Sequence, residues 1–213
     1  MLFRPAACGL LLAVSLQVQA QQAININAEL LAAARQNNLE TVVSLLERGA
    51  SINSRNRLGD TPLLMSAKGG NTPMALALIA RGADVNQRNL AGVSALMAAA
   101  FTGNAELARA LLAKGADVTP VDRVRKTAAV YAAGSGHTEV LKILLDAGVA
   151  VDQRYDNDLT ALMWAAGYGH DETVRFLLSR GADTSARDNR GKTAADIARE
   201  AGHAATLTVL NPS

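Results

Sequence analysis

Ten of the seventeen glycines in this chain stand at only two phases of a thirty-three-residue period. Gly70, Gly103, Gly136, Gly169 and Gly202 share one phase; Gly49, Gly82, Gly115, Gly148 and Gly181 share the other. Glycine enters a left-handed backbone without the roughly 1–2 kcal/mol that other residues meet there. Glycines phased in this way therefore mark the same chain reversal in every unit of an array, and an array folds by stacking one supersecondary unit on the next.

Tyr155 to Arg187 displays the unit most clearly. The spacing predicts a first helix that Thr160 caps and that buries Leu162, Ala165 and Ala166 on one face, ending at Gly169. Asp171 and Glu172 suit the positive N-terminal end of a second helix, whose apolar stripe is Val174, Leu177 and Leu178 and which ends at Gly181. The polar segment that follows, rich in Asp, Asn and Gly, reads as a turn or hairpin tip. Helices of about ten residues are marginal alone, so each unit must complete its core against its neighbours.

A Thr or Ser cap before Leu, an alanine pair, a Gly-His or Gly-Asn turn, a leucine pair and GAD followed by Val or Thr together resemble the ankyrin repeat, from Ile24 to Ser213. The resemblance implies an all-α solenoid of about six helix-turn-helix repeats with β-hairpin or turn tips, at about 24–55, 56–88, 89–121, 122–154, 155–187 and 188–213. It also implies a protein partner held by the tips and the concave face of the first helices. The chain is similar to small exported bacterial ankyrin proteins, some of which are associated with periplasmic enzymes such as catalase. An inhibitor or immunity protein that blocks a toxin or hydrolase is the alternative role for the same scaffold.

Residues 1–20 read as an export signal, with Arg4 near the start, an apolar segment from Ala6 to about Leu16, and Val18, Gln19 and Ala20 as the cleavage pattern. The expected mature chain is 21–213, in the periplasm or secreted. The apolar segment is shorter than the roughly 20 residues that a membrane span needs, so a retained anchor is the weaker reading. Cys8, the single cysteine, precedes the apolar core rather than following it, which argues against lipidation, and the mature chain can form no disulfide.

Departures from the repeat carry further expectations. Arg35, Gln36, Asn37 and Asn38 suit an N-terminal cap, and Asp196, Arg199 and Glu200 a polar C-terminal face. Pro62 and Pro73 each follow a threonine, which predicts Thr61 and Thr72 as helix caps. Arg125 occupies the tip position of Gly59 and Gly92, and Asp158 that of the fifth repeat. Arginine tolerates a left-handed turn less well than Asp, so the Arg125 tip is expected to deviate most.

His137, His170 and His203 recur at one phase. Packed helices lie about 8–10 Å apart, too far for a shared zinc that holds each nitrogen at about 2.1 Å, so the histidines are expected to hydrogen-bond in the turns. No GxSxG or HExxH pattern appears, and the chain is expected to be no enzyme and to hold no metal or cofactor. A formal net charge of +2 lacks the footprint of a nucleic-acid binder. A monomer is expected.

Aromatics make up only 3% of the chain, yet Phe101, Tyr131, Tyr155, Trp164 and Tyr168 fall in tip or first-helix phases of repeats three to five. Interface hot spots favour Trp, Tyr and Arg, which makes these the candidate contact residues. For Tyr131 and Trp164, packing between first helices is an equal alternative. Phe101 and Tyr168 share phases with Lys68, Ser135 and Glu200 and are expected to be exposed. Arg123, Arg125 and Lys126 form a candidate positive ridge, with solvated tips paired to Asp122, Asp156, Asp158 and Asp188 as the alternative.

Overall fold

A computed structural model describes residues 25–211. The expected export signal at 1–20 lies outside them. Helix α1 runs over 25–35 and α2 over Leu39–Glu47. Five further pairs follow: α3 (Pro62–Lys68) and α4 (Thr72–Ala80), α5 (Ala95–Thr102) and α6 (Ala105–Ala113), α7 (Ala128–Gly134) and α8 (Thr138–Asp146), α9 (Ala161–Gly167) and α10 (Asp171–Ser179), α11 (Ala194–Glu200) and α12 (Ala204–Leu210). First helices pack on first helices and second on second, which makes a two-layered helical solenoid. No strand occurs among the described residues; the tips are tight turns, with one isolated antiparallel bridge between Arg88 and Ser94.

The inner first helices α5, α7 and α9 are short and rich in alanine because each touches the first helix before it, the one after it and its own second helix. In α5, Ala95, Leu96, Met97, Ala98, Ala99 and Ala100 are all buried, leaving little but Phe101 and Thr102 outside. The second helices have one covered stripe, as in Val140, Leu141, Leu144 and Leu145 of α8.

Each first helix from α3 to α11 starts at a Thr or Ser whose hydroxyl accepts the amide three residues on. The distances are 3.2 Å for Thr61 to Leu64 and 3.4 Å for Thr160 to Met163. Thr160 is almost wholly buried, so that hydroxyl satisfies an amide that water cannot reach. Thr72 does not cap α4. Asn71, one residue earlier, accepts the Met74 amide at 3.1 Å, Pro73 falls at the second helical position, and the Thr72 hydroxyl instead accepts Asn104 Nδ2 at 2.6 Å. A planar amide reaches the third amide from there as well as a hydroxyl does, and both helical positions tolerate the missing proline N–H.

Where asparagine caps α2, α4 and α6, histidine precedes α8, α10 and α12, and its ring turns backward instead. His137 Nε2 is 2.9 Å from the Phe101 carbonyl oxygen, His170 Nε2 is 3.0 Å from that of Gly134, and His203 Nε2 is 3.2 Å from that of Gly167. Each imidazole thus satisfies an orphan carbonyl at the end of the preceding repeat's first helix. The ring lies against a phased glycine: a Cβ at Gly136 would come within 2.7 Å of His170 Nδ1.

Tips are organised by the Asn or Asp that opens them. Asn89 Oδ1 accepts the amides of Ala91 and Val93 at 3.0 Å each, and Asp122 Oδ1 accepts those of Val124 and Lys126 at 3.0 and 2.9 Å. The expected deviation at Arg125 is absent. Arg125 takes φ 63°, as Gly59 and Gly92 take φ 79° and 80°, and its amide donates to the Asp122 carbonyl at 3.0 Å as theirs do to Asn56 and Asn89. The fifth tip deviates instead. Tyr155 stands where other repeats have Asn or Asp and offers no acceptor for the amides, so Asp156–Asp158 tightens into a 3-10 turn with Asn157 and Asp158 both at φ 59°.

Candidate functional site

Six side chains from three successive repeats form a strip on the first-helix face. Phe101 meets Tyr131 edge-on, ring centres 5.8 Å apart at 83°. Lys126 extends beyond Tyr131, its ammonium 5.5 Å from that ring and 5.0 Å from the centre of Trp164. Trp164 stacks on Tyr168 at 6.1 Å, and Tyr168 on His170 at 6.3 Å. The Trp164 and Tyr168 rings both lie over Gly134, at ordinary contact distances of 3.6 and 3.7 Å from where a Cβ would stand.

The strip has anchored and free members. Tyr131 and Trp164 are half-buried, packed against the core with part of each ring left at the surface. The Tyr131 hydroxyl donates to Asp122 Oδ2, and burial, followed by that bond, pushes the phenol up to about 12. Phe101 and Tyr168 are exposed by 59% and 56%, far more than packing alone would leave to residues of this size. Beside them, Val93, Met97, Phe101 and Tyr131 line a mostly apolar groove of about 290 Å³.

The protein-family model described as ankyrin repeats, in three copies, matches residues 30–122 and 121–188. The chain belongs to the ankyrin-repeat family. No curated relative matches it. Ankyrin repeats are protein-binding modules, and α11 and α12 continue the ankyrin pattern beyond the matched residues. None of the described helices is long and apolar enough to cross a membrane.

Within the ankyrin array, the other candidates separate from the strip. Tyr155 is not brought to it: the ring is largely buried in a groove with Val121, Thr127, Ala129 and Asn157, and the hydroxyl has no well-formed hydrogen bond. Burial pushes that phenol up to about 12, against a slight opposing pull from Thr127. Arg123 is exposed at the tip, whereas Arg125 reaches Asp156 of the next tip at 3.5 Å. Arg154 donates to the Arg187 carbonyl at 2.8 Å and Arg187 to that of Gly191 at 2.7 Å, so these unit-ending arginines brace neighbouring tips. Lys126, grouped with the arginines by sequence, joins the aromatic strip.

Sequence reasoning missed two features. His170 extends the strip through its stack on Tyr168; its phase pointed only to a turn. Leu58, Leu90 and Val124 lie exposed by 62%, 58% and 65% at the tips of repeats two to four, where the signal was an aliphatic residue in a turn that otherwise selects polar ones.

Proposed function

We propose that this ankyrin protein is an exported, non-enzymatic module that holds another protein on the first-helix face of repeats three to five, with Phe101 and Tyr168 as its outer contacts and Tyr131, Lys126 and Trp164 as the ordered floor. The observation that carries this reading is the exposure of two large aromatics on a platform already fixed by stacking and by the Tyr131–Asp122 bond. Rigid aromatic anchors lose little conformational freedom on binding, which is why they dominate interface energies. The leader expected at 1–20 would deliver the module to the periplasm as a monomer. There it would support an enzyme; blocking a toxin or hydrolase is the alternative outcome.

The test is co-purification of the tagged full chain from the periplasmic fraction of its own host. One stoichiometric protein, retained by the wild type and lost with Phe101→Ala and Tyr168→Ala together, supports the reading. Retention unchanged by the double substitution contradicts the placement, and absence from the periplasm contradicts the export. Assay of the retained protein with and without the module then separates support from inhibition.

A further inference from the structure

In two repeats, residues eight apart in the same unit, one at the tip and one at the end of the following first helix, form an ion pair. In repeat two these are Asp60 and Lys68, paired at 3.2 Å. In repeat six they are Lys192 and Glu200, paired with the signs reversed. The central repeats break the rule: repeat three has Val93 and Phe101, and repeat four has Lys126 opposite Gly134. No carboxylate answers Lys126, which makes no ion pair or side-chain hydrogen bond among the described residues and rests between the Tyr131 and Trp164 rings. The nearby Asp122 is buried, with one oxygen taken by the Val124 and Lys126 amides and the other by the Tyr131 hydroxyl.

The groove of about 290 Å³ between Phe101 and Tyr131 has Lys68, already paired with Asp60, on its lining, and the uncompensated Lys126 stands 5.5 Å from the ring of Tyr131 that lines it. That volume falls at the bottom of the roughly 300–1,000 Å³ range of small-molecule sites and suits a single inserted side chain. Ring faces hold an ammonium but leave its N–H donors unspent, so a carboxylate can be added without displacing a rival. A cationic partner would meet repulsion at the same place.

We propose that the first-helix face recognises a protein segment in which a large apolar side chain adjoins a carboxylate, the apolar group entering the groove between Phe101 and Tyr131 and the carboxylate pairing with Lys126. This rests on the binding-module reading given above and adds the chemistry of the partner to it.

The experiment is selection of a random peptide display library on the immobilised full-length chain, followed by titration of the selected synthetic peptides against Trp164 fluorescence, the chain's single tryptophan. The expected peptides carry an apolar residue next to Asp or Glu. Lys126→Gln should weaken them about tenfold or more, as loss of a charge-assisted bond does, while Lys126→Arg retains most of the affinity. Replacing the peptide's acid by its amide should cause the same loss in the wild type and none in Lys126→Gln. Peptides that depend on Phe101 but are indifferent to Lys126 and to their own acids overturn this proposal and leave the first-helix face as a binding surface. A selection yielding no peptide sensitive to Phe101 or Tyr168 overturns both.

Discussion

The ammonium of Lys126 lies 5.0 Å from the Trp164 ring and 5.5 Å from the Tyr131 ring, so one residue at a tip ties together the first helices of two repeats. Each contact of this kind is worth about 0.5–1 kcal/mol where solvent has access. Lys126→Ala is therefore expected to lower stability by about 1 kcal/mol in a denaturant melt, an effect that should vanish when Tyr131 and Trp164 are also replaced by leucine. An unchanged midpoint in the single variant would mean that the lysine is held by neither ring.

Two glycines separate backbone strain from crowding. Gly148 has φ 101° and open space where a Cβ would stand, so Gly148→Val is expected to cost somewhat more than 1 kcal/mol from conformation alone, or about 1–2 kcal/mol. Gly136 is equally left-handed but lies under His170, so Gly136→Val should cost more, about 2 kcal/mol or above, and should displace the imidazole that binds the Gly134 carbonyl. Equal losses at both sites in denaturant melts would contradict the packing assigned to His170.

Arg125 adopts a glycine's conformation at the fourth tip, and its pair with Asp156 is between two largely exposed groups. Relief of about 1–2 kcal/mol of strain outweighs a surface pair worth about 0–1 kcal/mol and part of the added chain entropy of glycine. Arg125→Gly should leave stability unchanged or raise it by up to about 1 kcal/mol. A clear loss in thermal or chemical melts would show that the arginine organises its tip.

Alkaline pH should weaken the fold through two phenols. Tyr131 and Tyr155 are pushed up to about 12 in the folded chain, chiefly by burial, whereas unfolded tyrosine ionises near 10. The unfolded state then binds fewer protons between these values, so the phenols' contribution is complete below pH 10 and declines as pH rises toward 12. Melts across that range should show a decline that Tyr131→Phe and Tyr155→Phe each make shallower. A slope unaffected by both substitutions would contradict their assigned environments.

The array was legible because its punctuation is covalent: phased glycines and the Thr160 class of cap declare where each helix starts and stops. Exposure of Phe101 and Tyr168 was legible too, since Lys68 and Glu200 hold the first of these phases in other repeats and Ser135 holds the second. The tips were less so. Deviation was expected from Arg125, yet the opening side chain governs the turn: Asp122 keeps the fourth tip in form despite the arginine, and Tyr155 alters the fifth by supplying no acceptor. Lys126 was grouped with Arg123 and Arg125 because they adjoin in sequence, but the chain enters α7 through the extended Thr127, where neighbouring side chains point to opposite faces. Asn71 displaced Thr72 as a cap by one residue, a shift that two adjacent capping residues leave open.

The most direct test of the account is the affinity of the Phe101→Ala, Tyr168→Ala double variant for the protein that co-purifies with the wild type, measured by titration calorimetry beside a circular-dichroism melt. Both rings are more than half exposed, so the variant should unfold at nearly the wild-type temperature. Loss of two interface anchors predicts binding weaker by at least about 2 kcal/mol, roughly thirtyfold. Full affinity in a folded double variant would contradict the claim that this face is where the partner is held.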